Sequence, residues 1–145
     1  MKIGFTGSRR GMTAAQQHQL ELLLRGVGRV SGQVREWPEL HHGDCVGADD
    51  IAGQIAHRMD YRVVSHPPTN ERLRAHSVAD EVREPLDYLV RNRLIVDETE
   101  MLIAAPDGPE RLHSGTWATI RYARSLGRQV VVLRPGDSDH LKEDR

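Results

Sequence analysis

Short runs of apolar residues alternate along this chain with longer stretches in which apolar side chains recur every three or four positions. That alternation predicts a parallel sheet with crossover helices. The first strand is Lys2 to Thr6, followed by the loop Gly7-Ser8-Arg9-Arg10-Gly11 and a helix capped by Thr13, with Leu20, Leu23, Leu24 and Val27 on its inner face. A weaker strand, Glu39 to His42, runs into Gly43-Asp44-Cys45-Val46-Gly47-Ala48-Asp49 and a helix through Ile51, Ala52, Ile55, Ala56 and Met59. A third strand, Tyr61 to Ser65, stops at His66-Pro67-Pro68, where two prolines cannot continue a sheet ladder.

Residues 69–84 are polar, carry both signs of charge and read as a loop or lid. Helical period returns from Pro85, placed in a first turn, through Leu86, Leu89, Val90 and Leu94 to Ile95. The fourth strand, Met101 to Ala105, leads through Pro106 and the loop Asp107 to His113 into a helix that opens at Ser114 or Gly115. The fifth is Gln129 to Leu133. The pattern predicts an α/β fold: a single Rossmann-like doubly wound domain over 1–135, with about five mainly parallel strands and helices on both faces. A charged, frayed tail over 136–145 is expected to follow.

Composition narrows the partners. Twenty Lys and Arg against 21 Asp and Glu give a net charge of -1, so no global basic field gathers nucleic acid. A single cysteine, Cys45, excludes an internal disulfide and a four-cysteine zinc site within one chain. With no leader-like or membrane-length apolar run, a cytoplasmic protein without membrane contact is expected. Eight histidines show no His-x-x-x-His spacing, and no metal or other cofactor is expected.

Three loops after strands carry the chemistry, because an open parallel sheet binds ligands beyond the carboxyl ends of its strands. Gly7, Ser8 and Arg9 supply a tight turn, a hydroxyl and a guanidinium suited to phosphate, or else an ordinary turn with a solvated arginine. Gly43 and Gly47 let backbone approach a ligand, while Asp44 and Asp49 can accept from sugar or base; capping and helix-dipole roles are the plainer alternative. Cys45 beside His41 and His42 reads as packing rather than as a nucleophile. The run Ser114-Gly115-Thr116-Trp117, after Pro106, is a helix mouth whose free N–H groups favour an anion. Trp117 either stacks on a base or packs in the core. The lysine of a P-loop is missing.

In this order the loops resemble the SLOG superfamily of Rossmann-like proteins, which groups the DprA core, the LOG-type phosphoribohydrolases and small stand-alone nucleotide-sensor domains. The resemblance runs from Ile3 to about Pro135. It is carried by Gly7-Ser8-Arg9, by Gly47-Ala48-Asp49-Asp50-Ile51-Ala52 and by Arg91-Asn92-Arg93-Leu94-Ile95-Val96-Asp97. LOG-type enzymes cleave the N-glycosidic bond of a nucleoside 5′-monophosphate with a Pro-Gly-Gly-x-Gly-Thr-x-x-Glu signature and a preceding arginine. The resemblance puts Arg91 in the catalytic arginine position. Laying Ser114-Gly115 on the paired glycines sets Trp117 on the third glycine, Ala118 on the threonine and Arg121 on the glutamate.

The expected function is therefore binding of a nucleotide or nucleotide-derived ligand (a nucleoside phosphate or an ADP-ribose-like molecule) by a sensor, carrier or sequestering module. A nucleotide N-glycoside hydrolase or transferase is the alternative, and DprA-like handling of DNA a third. Many relatives pair through helices beside the sheet, which implies a homodimer or higher homo-oligomer, with 86–95 as the candidate face.

Overall fold

In the computed structural model, residues 1–31 and 37–136 are described, with side chains described outside 28–31, so all but the first residue of the predicted tail lies outside them. The elements are β1 (Lys2–Gly7), α1 (Ala14–Ser31), β2 (Glu39–His42), α2 (Ala48–Arg58), β3 (Arg62–Ser65), β4 (Glu81–Val82), α3 (Tyr88–Asp97), β5 (Met101–Ala105), α4 (Gly115–Ser125) and β6 (Gln129–Val132). All pairings between these strands are parallel, in one six-stranded sheet of order β4-β3-β2-β1-β5-β6.

Strand alternation divides the core into two faces. Ile3, Phe5, Leu40, Val63, Met101, Ile103 and Ala105 pack with Leu20 and Leu24 of α1 and Ala52, Ile55 and Ala56 of α2. Leu102 and Ala104 point the other way, onto Val96 of α3 and Trp117, Ile120 and Ala123 of α4. The predicted Thr13 cap is present as a reciprocal capping box: Gln16 N–H donates to the Thr13 hydroxyl and Thr13 N–H to the Gln16 side chain. The same Gln16 amide donates to the Pro106 and Leu133 carbonyls, tying the start of α1 to the ends of β5 and β6.

Two expectations fail. The sheet has a sixth strand, because Glu81 and Val82, inside the segment read as a loop, pair with Val64 and Ser65. A two-residue edge strand, Glu81 half-buried and Val82 exposed, carries no apolar period, and its register is set from outside, by the Asp80 carboxylate accepting from Val63 N–H at 2.8 Å. Pro85 is not in a helix. The chain is extended there, with Leu86 bridging Pro68 and donating its N–H to the Pro67 carbonyl, and α3 begins only after Asp87.

The α3 side of β2 and the residue after β3 place buried polar side chains beside Val64. His41 and His66 are both buried and share a hydrogen bond of 2.9 Å between Nδ1 and Nε2, while His41 Nε2 meets Glu39 Oε1 at 2.9 Å. Burial lowers both imidazole pKa values, that of His66 to about 3. On the opposite face His42 is fully enclosed, and burial brings it to about 4; its Nδ1 accepts from Asp44 N–H.

Candidate functional site

Strand order reverses at β1, whose neighbours are β2 on one side and β5 on the other. The chain leaves β1 toward α1 on one face and β5 toward α4 on the other, so the loops after these strands diverge and leave a crevice at their carboxyl ends.

The first wall is built by close backbone contacts. Ser8 N–H donates to the Ala105 carbonyl at 3.1 Å, and the Ser8 carbonyl accepts from Ala48 N–H at 2.9 Å, joining the ends of β1 and β5 to the start of α2. Gly7 has no room for a side chain, since a Cβ would stand 2.5 Å from that of Ala48. Gly47 has φ +99, and a Cβ there would lie 2.3 Å from the Arg9 carbonyl oxygen. Only glycine combines that conformation with that approach. The Arg9 side chain is exposed and, among the described residues, makes no hydrogen bond or ion pair.

The loop after β2 turns its chemistry inward. Arg91, from α3, is 3% exposed; Nη1 donates to the Gly43 carbonyl at 2.6 Å and Nη2 to Cys45 Sγ at 3.5 Å. A Cβ on Gly43 would fall 1.6 Å from Arg91 Nη1, so this glycine makes room for the guanidinium. Asp49, buried, accepts from Cys45 N–H and lies 4.0 Å from Arg91, while its Oδ1 has no hydrogen-bond partner. Burial pushes the Asp49 carboxyl up to about 6, against the opposing pull of Arg91. Burial also raises the Cys45 thiol, which keeps it protonated and unreactive.

Asp44 sits at φ 51 and is buried. Its carboxylate accepts from Ser77 N–H at 2.9 Å and stands 3.5 Å from Arg74 Nε. Further bonds from Val46 N–H to the Leu73 carbonyl, from Ala75 N–H to the Asp44 carbonyl and from the Ser77 hydroxyl to Asp50 strap residues 73–77 onto this loop. The two carboxylates that the sequence assigns to sugar or base are thus both engaged within the protein.

The opposite wall is the mouth of α4. Ser114 caps the helix, its hydroxyl accepting from Trp117 N–H at 3.3 Å. The N–H groups of Gly115 and Thr116 have no partner among the described residues. Trp117 lies in the core, 3% exposed, and its indole N–H donates to the Gly108 carbonyl, so its ring faces Val96, Leu102 and Ala104 rather than the crevice. Arg121 points outward to Glu110 at 3.0 Å.

Two residues at the crevice escape the sequence reading. Tyr88 lays its hydroxyl on Gly115, where a Cβ would stand 1.4 Å from the oxygen, and its ring lies 5.6 Å from the Arg91 guanidinium. Its spacing of three from Arg91 on one helix was the available signal. Asp107 accepts from the Ser8 hydroxyl at 3.3 Å and from Arg111 at 2.9 Å, with Arg10 at 3.7 Å. These cations, with the Arg111 hydrogen bond foremost, hold its carboxyl below the usual range. Among the described residues no group of three or more His, Cys, Asp or Glu is arranged to hold a metal ion.

No protein-family model and no curated protein matches this sequence. Solved structures do match in fold. The molybdenum cofactor binding protein of Rippkaea orientalis superposes with a TM-score of 0.66 at 21% identity, over 92% of this chain and 76% of its own. The Moco carrier protein of Chlamydomonas reinhardtii gives 0.59 at 21%, over 91% and 75%. DNA processing protein A of Helicobacter pylori, whose single-stranded DNA binding mode has been described, gives 0.60 at 21%, over 91% and 64%. With the parallel sheet and its reversal at β1, the chain has the Rossmann-like fold of these proteins.

Proposed function

We propose that this protein binds a phosphate-bearing small molecule, a nucleotide or nucleotide-derived compound, in the crevice between the loops after β1 and β5, as a carrier, sensor or sequestering module. The observation that carries this reading is the conjunction at the strand-order reversal of Arg9 with the N–H groups that open α4, none of them partnered among the described residues. Ser8, Arg9, Gly115 and Thr116 hold phosphate; Gly7, Gly43 and Gly47 shape the walls, and Asp44, Asp49 and Arg91 fix the loop after β2 from within. Two fold neighbours described as binding or carrying the molybdenum cofactor support a carrier role. Thermal-shift measurements with mono-, di- and cyclic nucleotides, ADP-ribose and the molybdenum cofactor test the reading. A rise in melting temperature with at least one of them is expected, and flat melting with all at saturating concentrations refutes it.

The N-glycoside hydrolase reading keeps one observation in its favour, a buried carboxyl at Asp49 that titrates near pH 6 beside Arg91. It predicts release of free base from a nucleoside 5′-monophosphate, lost in Arg91→Ala and Asp49→Asn. No release by the wild type removes it for that substrate. Pairing of two copies through α3 is also part of the proposal, supported by Tyr88, Leu89 and Val90, which stand 43%, 60% and 57% exposed beside a groove between α3 and α4. Light scattering after size exclusion reads it directly.

A further inference from the structure

One carboxylate already bridges the loops that frame the crevice. Asp107 Oδ2 accepts from the Ser8 hydroxyl at 3.3 Å, and Arg111 forks onto it, with Nη1 2.9 Å from Oδ1 and Nη2 3.5 Å from Oδ2. Arg10 Nε stands 3.7 Å from Oδ2. Ser8 and Arg10 belong to the loop after β1, Asp107 and Arg111 to the loop after β5, so the acid bridges the side chains of the two loops. Side-chain exposure runs from 86% at Arg10 and 55% at Arg111 to 19% at Asp107, which makes the anion the enclosed member and leaves its cations facing solvent.

A hydroxyl, a forked guanidinium and a second guanidinium form the donor set that a phosphate recruits, and carboxylate and phosphate oxygens accept the same bonds. The space beside the neighbouring Gly108 is open, since a Cβ there would meet nothing within 4 Å. We infer that Asp107 is a built-in competitor, which occupies Ser8, Arg10 and Arg111 in the empty crevice and must be displaced by a ligand's phosphate. The inference rests on the ligand-binding reading above and adds a selection rule to it.

Displacing a carboxylate by a phosphodiester exchanges one negative charge for one and gains little. A phosphomonoester carries about −1.5 to −2 at neutral pH, and a pyrophosphate carries more than one charge, so either gains on exchange. The crevice therefore selects terminal phosphates over cyclic or bridging ones.

The test is calorimetric titration of the full chain and of Asp107→Asn and Asp107→Ser with inorganic pyrophosphate, and with adenosine 5′-monophosphate against its 3′,5′-cyclic counterpart. Asp107→Asn keeps an acceptor for Ser8 while removing the charge, and melting curves without ligand establish that both variants fold. Pyrophosphate is expected to bind the variants about tenfold more tightly than the wild type. The wild type is expected to favour the 5′-monophosphate, with a gap that narrows in both variants. Folded variants that bind pyrophosphate no more tightly than the wild type overturn the inference and leave Asp107 a structural tie. A wild type that binds no nucleotide, beside variants that gain pyrophosphate, sinks the ligand-binding reading and upholds the competitor. Absence of binding by all three proteins removes both.

Discussion

Lowering the pH from 7 to 5 is expected to destabilise the protein through its buried histidines. His42 is fully enclosed and its pKa falls from 6.5 to about 4, while His66 falls to about 3. The unfolded chain therefore takes up protons below pH 6.5 that the folded chain refuses, and stability drops as the pH falls through that window. Each of these two histidines costs about 2 kcal/mol between pH 7 and 5 by linkage. Asp49 acts in the opposite sense. Its carboxyl is raised from 3.8 to about 6, so the folded state gains a proton that the unfolded state does not, returning about 1 kcal/mol over the same interval. The net expectation is a loss of about 2–3 kcal/mol, large against a total stability of roughly 5–15 kcal/mol. Urea denaturation followed by circular dichroism at pH 7 and pH 5 measures it. His42→Asn provides the control: its side-chain oxygen can still accept from Asp44 N–H, yet it cannot titrate, so the acid loss should shrink by about 2 kcal/mol. Equal stability of the wild type at the two pH values, or an unchanged acid loss in His42→Asn, would refute the burial argument.

Other outcomes follow from single contacts. Gly47→Ala forces a side chain into φ +99 against the Arg9 carbonyl and should cost about 2 kcal/mol or more, read in the urea midpoint, together with weaker ligand binding. Arg91→Met strands the Gly43 carbonyl and the Asp49 carboxylate and should cost about 3–5 kcal/mol; a variant as stable as the wild type would show the buried pair to be dispensable. Trp117→Phe deletes the bond to the Gly108 carbonyl and should lower stability by about 1 kcal/mol, beyond the effect of the smaller ring, without changing ligand affinity. A loss of affinity there would return the indole to the crevice.

Much of the framework was legible because local signals agreed with global ones. β5 is five consecutive buried residues, and α1 carries its cap, its Gln16 partner and its apolar stripe in one stretch of sequence. β4 was not legible, since its pairing is dictated by β3 and Asp80 rather than by any period of its own. The start of α3 was misplaced because proline suits a first helical turn and an extended strap equally well, and only the bridge from Leu86 to Pro68 decides between them. Within the site, residue type pointed to the right loops but not to the direction of the side chains. Asp44 and Asp49 look like ligand carboxylates in sequence, yet the strap at Ser77 and the guanidinium of Arg91 claim them from distant parts of the chain. Tyr88 and Asp107 gain their significance only from Gly115 and Ser8, each brought alongside by the sheet.

The account turns on whether the crevice at the β1 to β5 reversal is where a phosphate-bearing ligand binds. Amide chemical shifts of the isotope-labelled chain, titrated with a nucleoside 5′-monophosphate, address this residue by residue. Saturable shifts centred on Ser8, Arg9, Gly108, Gly115 and Thr116, and absent from Arg9→Ala at the same concentrations, are the predicted result. An unmoved spectrum, or shifts confined to Leu89, Asn92 and Tyr122 in the groove between α3 and α4, would contradict it.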